Sequence, residues 1–489
     1  MILTQLLEKV EYEVVQGGTD IEISAIINDS RKVKPGCVFP CIRGVSFDGH
    51  RFAAEVARKG AAAIVAQEKV DVPENVTLVI VPDTRTAMAR MACAWFGYPA
   101  EKLKMIGITG TKGKTTTTYM VKGILEAAGI RTGLIGTIET LIGDTKFASA
   151  NTTPESLVLQ EHLARMVKAG CEAVVMEVSS QALMMHRVEG ITYDIGVFTN
   201  ISADHVGPGE HSSFEDYMEC KSRLFRMCRA GIFNGDDIHL GRVLEGHTCT
   251  VETFGLRPSN DLYAEKISLI SRPGYLGTGF DVKGTMEFHA ETDIPGKFSV
   301  YNALCAIAIC RHFGVEEEQL KKALSEVKVR GRVEMVKVSD DFIFLIDYAH
   351  NAMALESILT TLREYHPARL VAVFGCGGNR ARSRRYEMGE VSGRCADYTI
   401  ITSDNPRYEN PEAIMDDIET GIRRTNGKYI RITDRKEAIR AAIRGGKTGD
   451  VIVLAGKGHE DYQEICGKKY PMDERVLIAE ILEEEKKGI

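Results

Sequence analysis

The segment MIGITGTKGKTTTT, residues 105–118, decides the fold class of this chain. A short apolar run comes first, a glycine-rich turn follows, and helical periodicity begins near residue 115. Such a turn lets backbone N–H groups surround a phosphate, and the helix N-terminus adds partial positive charge. Lys114 is placed to reach the β- and γ-phosphates, and the Thr115 hydroxyl is placed to ligate Mg²⁺. The segment therefore predicts a nucleotide-binding loop between a strand and a helix.

One feature of this loop departs from the common spacing. A glycine usually stands five positions before Gly113, and here that position is Ile108. The nearest fit is G-T-K-G-K-T from Gly110. A glycine-rich turn without a ligand is the alternative, and the number of required groups that coincide argues against it.

Six further segments are continuous apolar runs that stop abruptly at glycine, histidine or a charged residue. They are AVVMEVSS (173–180), YDIGVFTN (193–200), FIFLIDYAH (342–350), LVAVFGCGG (370–378), YTIITSDNP (398–406) and VIVLAGKGHE (451–460). Continuous hydrophobicity indicates strands that are buried on both faces of a parallel sheet. Helix-period stretches lie between them, at 115–128, 155–169, 353–364 and 435–444. We predict an α/β fold with ligands beyond the carboxyl ends of the strands.

The length of 489 residues favours about three domains. The first strand near Met105 follows a Pro-containing stretch, and a helical stretch at 317–327 gives way to new strands after Val329. We therefore place the domains at 1–100, 101–329 and 330–489. Alternating polar and apolar residues at 235–295 suggest a small sheet added to the central domain.

Composition excludes several classes of protein. The net charge of −7 gives no global reason to bind nucleic acid or an anionic membrane. No apolar run approaches the roughly 20 residues that span a bilayer, and the first residues do not resemble a secretory signal. The twelve cysteines never form a C-x-x-C pair, so we expect reduced thiols in a cytoplasmic protein.

Three polar residues have both a functional and an ordinary interpretation. Glu177 is a metal ligand or a helix-capping acid. His205, in the pair Asp204-His205, is a ligand or a structural histidine. Lys221 lies in the predicted helix DYMECKSRLF, where a solvated lysine is the default. Each residue alone leaves the choice open.

Four motifs follow strands in the last third of the chain: DYAH (347–350), GGNR (377–380), DNPR (404–407) and GKGHE (456–460). Arginine, carboxylate and amide groups at one sheet edge suit a zwitterionic amino acid, because guanidinium pairs with carboxylate and carboxylate with ammonium. The basic run over 380–385 equally fits the solvated start of a helix.

Taken in order along the whole chain, these motifs resemble the Mur ligases, the ATP-dependent enzymes that build the peptide of peptidoglycan, and within them the MurE type. The matching pieces are DSR (29–31), TGTKGKTT (109–116), NTTPES (151–156), MEVSSQAL (176–183), TNISADH (199–205), CKSRLF (220–225), GR (331–332) and the four C-terminal motifs. The resemblance implies three α/β domains: a uridine-nucleotide domain, a central P-loop ATPase and a C-terminal Rossmann-like amino-acid domain.

The resemblance also implies roles for individual residues. The UDP part of the substrate would be held by Asn28, Ser30, Val45, Ser46 and Phe47. The muramoyl-peptide would be positioned by Asn151, Thr152, Thr153, Ser179 and Arg187. ATP would be bound by Gly110, Thr111, Lys112, Gly113, Lys114, Thr115, Thr116, Asn302, Arg332 and Asp347. Mg²⁺ would be served by Thr115, Glu177, His205 and Lys221, the last as a carbamate. Catalysis would depend on Lys114, Glu177, His205 and Lys221. The incoming amino acid would be recognised by Arg380, Asp404, Asn405, Pro406, Arg407, Gly456 and Glu460.

DNPR is the form of the motif in members of this family that use meso-diaminopimelate. Arg407 would pair with the far-end carboxylate that L-lysine lacks, so that lysine would leave a buried cation unmatched, and Glu460 would meet the far-end ammonium. Two departures concern how the substrate is held: the chain reads DHVGPGEH at 204–211 and DYAHNA at 347–352, where the family usually has DHLD-x-H-G and DYAHTP.

The implied reaction joins meso-diaminopimelate to UDP-MurNAc-L-Ala-D-Glu through an acyl phosphate, in cytoplasmic peptidoglycan precursor synthesis. We expect a monomer that binds neither nucleic acid nor membrane. The alternatives are a ligase for L-lysine or another diamino acid, folylpolyglutamate synthesis, and a non-catalytic nucleotide-dependent regulatory protein. The uridine-nucleotide domain and DNPR argue against folylpolyglutamate synthesis, and the joint presence of Lys114, Thr115, Glu177, His205 and Lys221 argues against lost catalysis.

Overall fold

A computed structural model describes residues 1–44, 47–203, 206–207 and 210–487. The chain divides into two compact units, one of Met1–Asp261 with Cys305–Val315, the other of Leu262–Leu304 with Glu316–Ile489. The domain boundaries expected near residues 100 and 329 each lie inside one of these units, and they stay a prediction. Within the described ranges, no helix has both the length and the hydrophobicity to cross a bilayer.

The N-terminal part of the first unit is a small mixed sheet with helices around it. Its elements are α1 (Leu3–Leu6), β1 (Glu13–Gln16), β2 (Val38–Pro40), α2 (Ala53–Arg58), β3 (Ala63–Ala66), β4 (Thr77–Ile80) and α3 (Thr84–Trp95). The strand order is β1-β4-β3-β2, with β1 antiparallel and the other pairs parallel. Asp83 caps α3 by accepting a hydrogen bond from the Thr86 N–H at 2.6 Å.

The rest of the first unit contains the predicted nucleotide loop. Its elements are β5 (Lys104–Thr109), α4 (Lys114–Ala127), β6 (Thr132–Ile135), β7 (Glu139–Ile142), β8 (Thr145–Ala148), α5 (Ser156–Lys168), β9 (Ala173–Glu177), α6 (Ser180–Met184), β10 (Tyr193–Phe198), α7 (Phe214–Ser222), β11 (Cys228–Asn234), α8 (Leu240–Val243) and β12 (Thr250–Gly255). The strands lie in the order β12-β11-β10-β5-β9-β6-β7-β8, parallel from β12 to β6 and antiparallel beyond. All five residues of β9 are buried, as expected for a strand covered on both faces.

The second unit begins with an antiparallel sheet and two helices. These are β13 (Leu262–Arg272), β14 (Tyr275–Gly284), β15 (Phe288–Thr292), α9 (Lys297–Arg311) and α10 (Glu317–Glu326). The last residues of α9, from Cys305, are assigned to the first unit. β14 pairs with both β13 and β15. The alternating strands predicted within 235–295 are observed from Leu262 to Thr292, whereas the first part of that range forms α8 and the parallel strand β12. Their attachment to the central domain stays a prediction.

The C-terminal part of the second unit is a doubly wound sheet. Its elements are β16 (Glu334–Met335), β17 (Ile343–Asp347), α11 (Ala352–Arg363), β18 (Arg369–Phe374), α12 (Ser383–Cys395), β19 (Tyr398–Ile401), α13 (Pro411–Ile422), β20 (Tyr429–Arg431), α14 (Arg435–Arg444), β21 (Asp450–Ala455), β22 (Tyr462–Ile465), β23 (Lys468–Pro471) and α15 (Glu474–Lys486). The order is β16-β17-β21-β18-β19-β20, parallel except for β16, and β22 and β23 form a separate hairpin.

Both faces of this sheet are covered by helices. Leu355, Met388 and Ile418 on α11, α12 and α13 are buried in one apolar cluster, and Ile439 and Ile478 on α14 and α15 are buried in another. The last strand of the sheet, β21, inserts between β17 and β18. The polar segments that follow β17, β18, β19 and β21 therefore meet at one edge, and the predicted α/β fold is confirmed.

Candidate active site

The phosphate loop has the predicted strand–loop–helix geometry. β5 ends at Thr109 and α4 begins at Lys114, with Gly110 at φ +145° and Gly113 at φ +86°. A Cβ on Gly110 would overlap with Oγ1 of Thr199. Glycine is required at this position because the backbone passes against a neighbouring strand end at a positive φ.

Asn200, which the sequence patterns left without a role, holds this loop in shape. Its carbonyl accepts the Thr111 N–H at 2.8 Å, and its Oδ1 accepts the Lys112 N–H at 3.0 Å. Its amide nitrogen donates to the Lys112 carbonyl at 3.0 Å. The signal for Asn200 was its place directly after the strand YDIGVF, in the motif TNISADH.

Two lysines converge on the first glycine of the loop. Nζ of Lys114 donates to the Gly110 carbonyl at 2.8 Å, and Nζ of Lys221 donates to the same carbonyl at 2.9 Å. Lys221 is 1% exposed, and its Nζ lies 4.5 Å from the ring centre of Tyr217. The predicted helix around Lys221 is confirmed as α7. The solvated interpretation is wrong, because packing against the loop removes this lysine from water.

Glu177 is a buried acceptor at the end of β9, and it is 1% exposed. Its Oε1 accepts the Thr115 hydroxyl at 3.0 Å and the Thr137 N–H at 2.8 Å. Hydroxyl and carboxylate oxygens beside a phosphate loop are the hard donors that Mg²⁺ prefers. The residues present therefore fit a magnesium ion, although the expected ligand His205 lies outside the described residues.

A cavity of about 370 Å³ adjoins this region and gathers most of the residues expected to hold the muramoyl-peptide. Its lining includes Lys114, Asn151, Thr152, Ser179 and Arg187. Its polar walls suit a ligand with many hydrogen-bonding groups. Thr137, Glu210 and His211 also line it and were missed by the sequence patterns.

Thr153 and Arg187 are held by different contacts at the wall of this cavity. Thr153 is fully buried, and its Oγ1 donates to the Glu177 carbonyl at 2.8 Å and accepts the Ser179 N–H at 3.1 Å. Arg187 pairs with Glu155 at 2.6 Å, while its buried Nε has no hydrogen-bond partner among the described residues. Thr153 thus joins two loops of the cavity wall, and Arg187 lines the cavity while Glu155 holds its guanidinium.

The residues expected to hold the uridine nucleotide lie on loops of the N-terminal sheet. Asn28 is exposed and Ser30 is 8% exposed. Phe47 is 44% exposed, and its ring stacks on Phe52 with the ring centres 4.9 Å apart. The exposed Phe47 ring, stacked on the half-buried Phe52, offers a flat apolar surface for another ring. Val45 and Ser46 lie outside the described residues.

In the second unit, the segments after β18, β19 and β21, which are expected to recognise the amino acid, lie close together. A Cβ on Gly375 or Gly378 would overlap with the carbonyls of Thr402 and Pro406, and one on Gly456 would lie 3.0 Å from Oδ2 of Asp404. The GGNR, DNPR and GKGHE motifs therefore approach each other closely, and glycines permit this contact.

A network centred on Asn405 joins two of these motifs. Its Nδ2 donates to Oε2 of Glu460 at 2.9 Å, and its Oδ1 accepts Nζ of Lys457 at 2.9 Å. Lys457 is 0% exposed and also donates to Glu460 at 2.7 Å and to the Tyr462 carbonyl at 2.5 Å. The motif GKGHE predicted roles for Gly456 and Glu460 but none for Lys457.

Arg407 is the residue for which the structure changes the expectation most. Its Nε donates to Oε2 of Glu464 at 3.1 Å, and its Nη1 donates to the Gly378 carbonyl at 2.6 Å. Both side chains of the ion pair are 23% exposed. The expectation that lysine would leave Arg407 as an unmatched buried cation is wrong, because Glu464 already neutralises it.

The basic run near residue 380 divides into different roles. Arg385 is 3% exposed and pairs with Asp417 and Glu409, and Arg382 also pairs with Asp417. These two arginines tie α12 to α13 and the loop before it. Arg380 is exposed next to the pocket motifs, and its contact with an amino acid stays a prediction.

The residues expected to contact the nucleotide from the second unit are Asn302, Arg332 and Asp347. Asp347 accepts the Val333 N–H at 2.9 Å and the Ala349 N–H at 2.8 Å, and burial raises the pKa of its carboxyl. The Arg332 guanidinium lies 4.8 Å from the ring centre of Tyr348, and its buried Nε has no partner in the described part of the chain. Asn302 is 7% exposed on α9.

Similarity to known proteins agrees with this arrangement. Three family models match the chain: the Mur ligase family catalytic domain over residues 22–96, the Mur ligase middle domain over 108–310 and the glutamate ligase domain over 331–458. A UDP-N-acetylmuramoyl-L-alanyl-D-glutamate–2,6-diaminopimelate ligase from Caldanaerobacter subterraneus subsp. tengcongensis is 44% identical over 489 residues, which is 100% of both chains. The chain belongs to the Mur ligase family.

Mur ligases have three domains, with the ATP-binding domain in the centre, and they form amide bonds at the expense of ATP. A second relative of the same name, numbered 1, from Clostridium acetobutylicum is 43% identical over 99% of this chain and 100% of its own length. A solved structure of a ligase with this name aligns with a TM-score of 0.73 at 28% identity, covering 99% of each chain. Membership of this family confirms the fold and the enzyme class expected from the motifs.

Proposed function

We propose that this Mur ligase joins meso-diaminopimelate to UDP-MurNAc-L-Ala-D-Glu in the synthesis of a peptidoglycan precursor. The observation that carries the proposal is the Arg407 guanidinium at the carboxyl end of β19, in a chain 44% identical to an enzyme named for diaminopimelate. Guanidinium is the group best suited to a second carboxylate, which distinguishes diaminopimelate from lysine. Such a reaction belongs to cell wall biogenesis and thereby to cell shape and division.

The proposed reaction needs an activated carboxylate, because a carboxylate oxygen does not leave at neutral pH. ATP phosphorylates the γ-carboxylate of D-Glu, the amine of the third amino acid attacks the acyl phosphate, and phosphate departs from the tetrahedral intermediate. Backbone N–H groups of Gly110–Thr116 surround the phosphates, and Lys114 turns from the Gly110 carbonyl to neutralise their charge.

Magnesium would be held by Thr115, Glu177, His205 and Lys221 as a carbamate, and when bound it would neutralise phosphate charge. The contact between Thr115 and Glu177 supports this assignment. The burial of Lys221 beside Gly110 supports a role at the phosphates rather than at the surface. In this proposal Asn302, Arg332 and Asp347 bind the remainder of the nucleotide.

The substrates would be divided between the sites described above. The cavity lined by Asn151, Thr152, Ser179 and Arg187 takes the muramoyl-peptide, with Thr153 supporting its wall. The loops with Asn28, Ser30 and residues 45–47 take the uridine nucleotide. The amino acid is bound by Arg380, Asp404, Asn405, Pro406, Arg407, Gly456 and Glu460.

We further propose a cytoplasmic monomer. The consumption of ATP and the twelve free cysteines support the compartment. One observation favours the alternative, a ligase for L-lysine. Because Glu464 pairs with Arg407, binding a substrate without a second carboxylate costs less free energy than it would with an unpaired arginine.

The decisive experiment measures phosphate release from ATP with UDP-MurNAc-L-Ala-D-Glu and one of three amino acids: meso-diaminopimelate, L-lysine or L-ornithine. We expect release that requires both the nucleotide peptide and the amino acid, with meso-diaminopimelate preferred. Release without an acceptor amino acid would point to a nucleotide-dependent regulatory protein, and a preference for lysine would support the alternative ligase.

A further inference from the structure

Glu464 on β22 belongs to none of the quoted motifs, yet it orients the arginine of the amino-acid pocket. Its Oε2 accepts Nε of Arg407 at 3.1 Å, while the Gly378 carbonyl accepts Nη1 at 2.6 Å. The backbones are joined as well, because the Arg407 N–H donates to the Glu464 carbonyl at 3.0 Å. Two of the three guanidinium nitrogens are therefore held by protein.

The same ion pair leaves one donor and one acceptor for a ligand. Among the described residues, Nη2 of Arg407 and Oε1 of Glu464 have no hydrogen-bond partner. Each of these atoms is two covalent bonds from the atom that forms the ion pair. A cationic N–H and an anionic oxygen are thus presented close together on a partly exposed part of the pocket.

Glu460, the other carboxylate expected to meet the far-end ammonium, is neutralised differently. Its Oε2 accepts Nζ of Lys457 at 2.7 Å and Nδ2 of Asn405 at 2.9 Å. Lys457 is 0% exposed, so its charge is directed at Glu460 and not at solvent. Glu460 can contribute a hydrogen bond to a substrate, but its charge already has a fixed protein partner.

We propose that Glu464 determines specificity at the far end of the amino-acid substrate. It directs Nη2 of Arg407 to the far-end carboxylate, and its own Oε1 accepts the far-end ammonium. The inference rests on the proposed function. When a substrate carboxylate binds Arg407, Glu464 loses its share of that cation, and only an ammonium on the same substrate carbon restores the charge balance.

This charge count separates meso-diaminopimelate from L-2-aminopimelate, which has the same chain and far-end carboxylate but no far-end amine. The test measures kcat and KM for both acceptors by phosphate release, with saturating ATP and UDP-MurNAc-L-Ala-D-Glu. Glu464→Gln removes the charge at nearly equal volume. We expect the ratio of kcat/KM for meso-diaminopimelate over L-2-aminopimelate to fall about tenfold, because a charge-assisted contact is lost.

The effect should lie in KM, with kcat within about threefold, because Glu464 acts on binding and not on phosphoryl transfer. Glu412→Gln is the matched control, since Glu412 also pairs with an arginine, Arg431, at 2.8 Å, and is half exposed. Its ratio should equal that of the wild type. Glu464→Asp keeps the charge at a shorter reach, and it should lower the ratio by a few-fold only, less than Glu464→Gln does.

A Glu464→Gln ratio within twofold of the wild type, in a protein with an unchanged melting temperature, overturns the inference. If Glu464→Gln does not fold, Glu464→Asp decides: its shorter reach should raise KM for meso-diaminopimelate several-fold and leave KM for L-2-aminopimelate within twofold. Equal changes for both acceptors overturn the inference. The proposed function fails separately, if the wild type itself releases no phosphate with meso-diaminopimelate.

Discussion

The phosphate loop of the first unit and the proposed amino-acid pocket of the second are constructed in different ways. The loop is one continuous segment, Gly110–Lys114, shaped by glycine conformations and backbone hydrogen bonds. The pocket combines side chains from three separate segments, paired as Arg407–Glu464 and Lys457–Glu460. Backbone donors serve every nucleotide triphosphate in the same way, whereas side-chain ion pairs can be matched to one substrate. Under the proposed function, the chemistry common to all acceptors and the choice of amino acid therefore depend on different kinds of structure.

Lys114→Ala tests the loop side of this comparison, and it has the largest expected effect. We expect kcat to fall about 10³-fold for every acceptor amino acid, because an electrostatic contact to the transferred phosphate is lost. The melting temperature should change little, since Lys114 donates to carbonyls of its own loop. Phosphate release and thermal unfolding check both statements, with the exposed Lys168→Ala as control. Activity within a few-fold of the wild type would remove the phosphate-loop assignment.

Lys221→Ala tests whether this lysine of α7, which contacts the loop at Gly110, acts as a carbamate. We expect activity to fall about 100-fold and to recover several-fold with added short carboxylates, which replace the missing anionic ligand. Lys114→Ala is the control, because a carboxylate cannot replace a lost cation. Carbon-13 NMR after incubation with labelled bicarbonate should show a carbamate signal in the wild type alone. Full activity of Lys221→Ala would make this buried lysine structural.

Arg407→Ala sharpens the comparison between the loop and the pocket, since it should affect the use of one amino acid and not phosphoryl transfer from ATP. We expect kcat/KM for meso-diaminopimelate to fall about 30-fold, by the loss of a charge-assisted hydrogen bond, and that for L-lysine to stay within about threefold. Arg394→Ala, which removes an exposed arginine paired with Glu356, is the control. Equal losses for both amino acids would show that Arg407 only supports the fold.

The smallest expected effect concerns His459, in the GKGHE motif, and how the free energy of unfolding depends on pH. Burial and the charges of Arg332, Arg330 and Arg475 lower the pKa of His459 to about 4. The unfolded chain therefore binds a proton below about pH 6.5 that the folded chain refuses, so stability falls as the pH falls towards 4.

The wild type should lose about 2 kcal/mol more stability than His459→Gln between pH 7 and pH 5. Urea unfolding at the two pH values measures this difference. His366→Gln, which replaces an exposed histidine, is the control. Parallel curves for the wild type and His459→Gln would show that this histidine is not held neutral.

Much of the fold follows from local pattern. The helices expected at 115–128, 155–169, 353–364 and 435–444 are observed as 114–127, 156–168, 352–363 and 435–444. The agreement is close because Asn351 and Asp434 cap their helices through local hydrogen bonds. The strand in the segment 398–406 likewise ends where its apolar run ends, at Ile401, and the polar DNPR segment follows it outside the ladder.

The sequence by itself determined the phosphate loop, the strands with polar ends and the family, because each depends on residues that are neighbours along the chain or on motifs in fixed order. Only the tertiary structure decided which charges are paired. Arg407 and Glu464 are 57 residues apart, and Asn405 and Lys457 are 52 apart. They meet because β21 inserts between β17 and β18 and carries the following segment back to the end of β19. Whether the Arg407 cation has an anionic partner depends on that return of the chain, and a local sequence pattern carries no information about it.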